Sequence, residues 1–159
     1  MSSTYEKIAT NTLGSSQSSV TFSSIPATYT DLIIIIDGIM SNASELRYRF
    51  NGDSGSNYSF TQLFGSGSSV SSGRDSNRTY GRIGSTRTTQ TVQIGQINNY
   101  SNTTTFKTVL SRESTASSAV QAFVGLWRST SAINEIIFSA ETGTFSSGTT
   151  FTLYGIKAE

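Results

Sequence analysis

The sequence contains neither cysteine nor histidine. The first absence excludes disulfides and thiolate metal sites, and with them any reading of redox compartment from cysteine usage. The second removes the usual general base and the commonest metal ligand, so Ser-His-Asp and Cys-His triads are not available. Charge is scarce too. Charged residues make up 13% of the chain, about half the usual share of roughly 25%. Their sum of +1 gives no global attraction to nucleic acid or to a membrane surface. There is a single proline, Pro26, and no apolar run approaches the roughly 20 residues needed to span a bilayer. Met1-Ser-Ser-Thr-Tyr-Glu-Lys7 lacks the apolar segment of a signal peptide. A chain made in a cytoplasm, and held there until assembly or release, is expected.

What the sequence has in excess is hydroxyl. Serine and threonine supply about a third of the residues, well above ordinary globular usage. Apolar residues still reach 35% and aromatics 11%, the reverse of the aromatic-poor, highly charged composition of disordered chains. A length of 159 residues suits one domain over residues 1–159 with a genuine core.

The most structured stretch is Asp31–Met40, where Leu32 to Ile36 are consecutive aliphatic residues. β-Branched side chains are stiff at χ1 and pack well on a pleated surface. Strand side chains alternate between two faces, so an unbroken apolar run needs cover on both. A central strand is predicted, covered by a second sheet on one side and by loops or a partner subunit on the other. Further strands are predicted at Tyr5–Ala9, Val20–Phe22, Leu46–Phe50, Tyr58–Phe64, Thr91–Ile97, Phe106–Leu110, Val120–Trp127, Ile133–Phe138 and Phe151–Ile156. Ser111–Ala119 reads as a loop or a helical turn. Asn51-Gly52 predicts a hairpin joining Leu46–Phe50 to Tyr58–Phe64. The pattern is that of an all-β, jelly-roll-like antiparallel β-sandwich of about 8–10 strands.

Chemistry-bearing residues are few. The oxygens of Asn51, Asp53, Ser54 and Asn57 could ligate calcium, but one carboxylate among them favours a bare turn, so no metal and no cofactor are expected. Ser-Lys chemistry would have to use Lys7, Lys107 or Lys157, none of which lies in a recognisable motif. Paired carboxylates could hydrolyse glycosides, and Asp31, Asp37, Glu135 and Glu141 are the candidates, at positions that read as strand ends. Arg74, Arg78, Arg82 and Arg87 follow a Gly/Ser-rich loop. They read either as solubilising residues or as a basic loop that grips an anionic partner. Nucleic acid is not expected there, because single-strand binding also needs interleaved aromatics. Trp127 reads as a core anchor or as a carbohydrate-stacking platform.

Four blocks carry a resemblance. Tyr5-Glu-Lys-Ile8, Thr21-Phe-Ser-Ser-Ile-Pro-Ala-Thr-Tyr-Thr-Asp-Leu32, Arg49-Phe-Asn-Gly-Asp-Ser-Gly-Ser-Asn-Tyr58 and Phe151-Thr-Leu-Tyr-Gly-Ile156 together resemble small structural proteins of tailed bacteriophages, especially phages of aquatic bacteria and cyanobacteria. The likeness runs from residue 5 to residue 156, with no familiar motif in Gly65–Thr91. It implies a non-enzymatic virion component and supplies no catalytic residues. A capsid decoration or cement protein on the virion surface, assembled in the host cytoplasm and clamping neighbouring major capsid subunits, is the leading expectation. Such clamps sit on threefold axes, which implies a homotrimer. The alternative is a tail-fibre or tailspike tip binding a host glycan through Trp127, Tyr58, Tyr80 or Tyr100.

Overall fold

Alternating apolar residues separated by hydroxyl-rich turns build strands throughout. A computed structural model describes residues 4–115 and 119–157. These hold twelve strands: β1 (Tyr5–Thr12), β2 (Ser19–Phe22), β3 (Asp31–Gly38), β4 (Ser44–Phe50), β5 (Tyr58–Gly65), β6 (Val70–Arg78), β7 (Gly81–Thr86), β8 (Thr91–Asn98), β9 (Lys107–Thr115), β10 (Ala119–Trp127), β11 (Ile136–Ala140) and β12 (Thr150–Ile156). Every pairing is antiparallel. One sheet has eight strands in the order β1-β12-β3-β8-β9-β10-β5-β6, and the other has four in the order β2-β11-β4-β7.

Setting aside the hairpins β5–β6 and β9–β10 leaves β1-β12-β3-β8 facing β2-β11-β4-β7. That is the strand order of a jelly roll, two interlocked Greek keys in two four-stranded sheets. The two hairpins pair with each other through β5 and β10 and join the jelly roll through β8 and β9. They double the width of one sheet.

The predicted central strand is β3. Leu32, Ile34 and Ile36 point between the sheets and are at most 1% exposed. They meet Phe151 and Leu153 of β12 and the rings of Phe22 and Phe138 from the smaller sheet in one core. Ile33 and Ile35, on the opposite face, are only half-buried.

β6 and β7 were not legible as strands. β6 is the last strand of the large sheet, held by β5 alone, so it needs no apolar alternation. In β7, Gly81 replaces a large residue because a Cβ there would lie 2.0 Å from Cζ of the buried Tyr48. β9 also runs to Thr115, across a stretch expected to be loop or helical turn; residues 116–118 lie outside the described ones.

The Asn51-Gly52 turn forms but does not make the predicted hairpin. Both residues have positive φ, 51° and 66°, and the Asp53 amide donates to the Phe50 carbonyl at 2.9 Å, the geometry of a type I′ turn. The chain then crosses from the small sheet to the large one, where β5 pairs with β6 and β10 instead of β4. The phenol of Tyr58 pins this crossing, accepting from the Phe50 amide at 3.0 Å and donating to the Asp53 carbonyl at 3.3 Å.

Candidate interaction surface

The aromatic candidates sit inside. Trp127 is 2% exposed, Tyr58 and Tyr100 are fully buried, and Tyr80 is 8% exposed. Trp127 stacks on Tyr58 with ring centroids 6.3 Å apart and meets Phe50 edge-on at 5.4 Å. Its indole N–H donates to Asp53 Oδ2 at 2.6 Å. A ring buried on both faces offers nothing for a sugar to stack on, so these four residues are core members and not a glycan platform. Asp53 is likewise engaged, accepting from Trp127, from Asn57 Nδ2 at 2.9 Å and from the Gly55 amide at 2.8 Å. Burial alone would raise its pKa, but those three donors outweigh it and hold the carboxyl below its ordinary value. The loop is a turn whose carboxylate is already satisfied.

The four arginines do not form one basic surface. Arg78 and Arg82 converge with Arg47 on Glu45, at 3.9, 3.5 and 2.8 Å. Arg47 also pairs with Glu141, and its guanidinium lies 3.8 Å from the Tyr80 ring centroid. Burial would raise the Glu45 pKa, but hydrogen bonds from Arg47 and Tyr80 and the charge of Arg82 bring it below the usual carboxylate value. Arg87 reaches inward to Glu113 at 3.2 Å. Arg74, on the edge strand β6, is exposed and makes no ion pair among the described residues. Three of the four are therefore tied into the fold.

Beneath β7 the interior is polar. Gln93, Ser111, Glu113 and Gln121 occupy the inward positions of β8, β9 and β10, all at most 4% exposed. The Glu113 carboxylate accepts from the Ser85 amide at 2.5 Å, and Gln93 Nε2 donates to the Ser85 carbonyl at 2.5 Å. Burial raises the Glu113 pKa, and the donors Ser85 and Arg87 offset this only in part. Lys107 is also buried, its ammonium donating to the carbonyls of Thr105 (2.7 Å) and Thr130 (3.2 Å), with burial lowering its pKa. Among the described residues no three acidic, His or Cys side chains gather to hold a metal, and no helix is long and apolar enough to cross a membrane.

The outer face of the eight-stranded sheet is different in kind. Of the nine exposed large hydrophobic residues among those described, seven lie on it: Tyr5, Leu63, Val70, Val92, Leu110, Val120 and Val124. Register aligns them in cross-strand rows. Ile35, Ile94, Arg112, Ala122 and Leu63 make one row; Ile33, Gln96, Leu110, Val124 and Thr61 make the next. Tyr5, Ile33, Ile94, Gln96, Leu110 and Arg112 line a groove of about 440 Å³ on this face. Apolar side chains placed at both parities of β3 and β10 are what expose it. In β10, Val120, Ala122, Val124 and Leu126 face outward while Phe123 and Trp127 face the core. The same doubled pattern was legible in Leu32–Ile36; that β10 shares it, and lies in the same sheet, was not.

No family model, no curated protein and no solved structure matches the chain.

Proposed function

We propose that this chain is a non-enzymatic structural protein of a bacteriophage virion, which decorates the head and bridges neighbouring major capsid subunits. The observation that carries this reading is the ordered apolar outer face of the large sheet. Exposed apolar area beyond a few hundred Å² marks a surface made to be covered, and a protein with that surface belongs in an assembly. The four sequence blocks that resemble tailed-phage structural proteins point to a virion as the assembly. The ion pairs of Arg47, Arg78, Arg82 and Arg87 support a scaffold role: Arg78–Glu45 and Arg87–Glu113 tie the small sheet to the large one, and Arg47 and Arg82 tie strands within the small sheet. The glycan-binding tail tip loses its proposed rings to the core.

The test is saturable binding of the purified protein to capsids stripped of their decoration, together with immunogold labelling of the parent particle. Regular gold over the head and stoichiometric capsid binding are expected. Gold confined to the tail, or no gold on the particle, would overturn the assignment.

A further inference from the structure

We propose that the outer face of the eight-stranded sheet packs face to face against a second copy of this chain, about a two-fold axis running along β8. The inference rests on that face being an assembly surface, as above, but not on the particle that carries it.

Area comes first. The six exposed apolar residues on strands that such a pairing covers, Tyr5, Leu63, Val92, Leu110, Val120 and Val124, together present on the order of 600 Å², about three-quarters of one partner's share of a standard interface (roughly 800 Å²) and at the upper end of the ~300–600 Å² patch of a typical monomer. Shape points to a second copy. Strands twist in one hand, so a broad sheet is saddle-shaped. A two-fold axis lying along the strands carries such a saddle onto itself. A second copy therefore brings a surface of matching curvature, and two sheets stacked in this way pack about 10 Å apart.

Charge placement selects the axis. The outward residues of β8, Val92, Ile94, Gln96 and Asn98, carry no charge. On one side of β8 lies β3 with Asp37; on the other lies β9 with Arg112, exposed in the middle of the face. A two-fold axis along β8 exchanges the places of β3 and β9. Each Arg112 then stands over the other copy's β3, on the row of Ile35 and one row from Asp37. That offset is about 7 Å along the strand, within reach of a long guanidinium side chain. The interface is thus isologous, each copy giving what it receives.

Sedimentation equilibrium on the full chain tests this. The expected mass is twice 17.0 kDa. Leu110→Glu and Val124→Glu, each at a side chain more than half exposed, should keep the circular dichroism spectrum and weaken self-association by about 100-fold or more, the scale of a central interface residue. Thr21→Glu, on the outer face of the small sheet, should leave the dimer intact. Because the chain has no cysteine, Gln96→Cys on β8 gives a clean positional probe. It should cross-link to a dimer with a short bis-maleimide, whose span suits sheets about 10 Å apart where a direct disulfide would be too short, and Thr21→Cys should not. A monomer at about 100 µM protein, or a mass unmoved by Leu110→Glu and Val124→Glu, would overturn the interface. A trimer, or failure of Gln96→Cys to cross-link, would overturn the two-fold axis. Loss of capsid binding with an intact dimer would count against the virion assignment alone.

Discussion

The sandwich has two interiors built on one sheet. Beneath β2, β11 and β4 the inward positions are Leu32, Ile34, Ile36, Phe151 and Leu153, each at most 1% exposed. Beneath β7 the corresponding positions of β8, β9 and β10 include Gln93, Ser111, Glu113 and Gln121. Both obey the same alternation, yet they are held by different physics. The apolar interior is stabilised by area removed from water, which needs no particular angle between groups. The polar interior is held by pairing its buried donors and acceptors, and each buried orphan costs about 1–3 kcal/mol. Two of its members, Gln93 Oε1 and Ser111 Oγ, have none. The hairpin addition is thus the more costly region to perturb polar group by polar group, and the jelly roll the more costly one in which to place a charge.

That contrast can be broken most severely at Ile34. An aspartate there puts an unpaired charge into the apolar interior at several kcal/mol, a cost comparable to the whole stability of a small domain. Ile34→Asp is expected to leave no soluble folded protein, as judged by yield and circular dichroism. Gly81→Ala comes next. Its Cβ collides with the buried Tyr48 ring, and overpacking of this kind costs roughly 1–3 kcal/mol or more; urea unfolding should show the loss. Glu113→Leu acts on the polar side. It strands the Ser85 amide and the Arg87 guanidinium, and a loss of about 1–3 kcal/mol is expected, with Glu113→Gln costing less because an acceptor remains.

A pH series sharpens the comparison further. Burial raises the folded-state pKa of Glu113 above its ordinary 4.5. The folded protein therefore binds more protons than the unfolded chain at and above that pH, and this group's contribution to stability falls as pH rises through the window from 4.5 upward. Glu45, lowered from the same 4.5 by its arginine and tyrosine partners against the opposing effect of burial, behaves oppositely. Its contribution is present above 4.5 and is lost as pH falls through its depressed folded value. The difference in urea midpoint between Glu113→Gln and the wild type should therefore move in the variant's favour as pH rises above 4.5. Parallel curves would show that Glu113 is not the group responsible. The smallest effect is expected at Arg74→Ala. That side chain belongs to neither interior, and its removal should change unfolding free energy by no more than about 0.5 kcal/mol.

The fold class was legible because strand alternation is a local property. Leu46, Tyr48 and Phe50 alternate with Arg47 and Arg49 in the chain as they do in the sheet, and the turn at Asn51-Gly52 takes positive φ as its residue types demand. What the sequence determined by itself is therefore where ten of the twelve described strands lie, which of their residues alternate inward, and that a central apolar strand exists. Pairing was decided elsewhere. A type I′ turn constrains four residues, while the choice between β4 and β10 as the neighbour of β5 depends on where Tyr58 and Trp127 find the core, 69 residues apart in the chain (127 − 58). The arginines were visible as a spacing, but the partners of Arg78, Arg82 and Arg87 are Glu45 and Glu113 on two other strands, so only the folded chain makes ion pairs of them. The apolar outer face is likewise a tertiary fact. Seven residues from six strands become one surface only after register places them in rows, because pairings such as β3 with β8 and β5 with β10 join segments far apart in the chain.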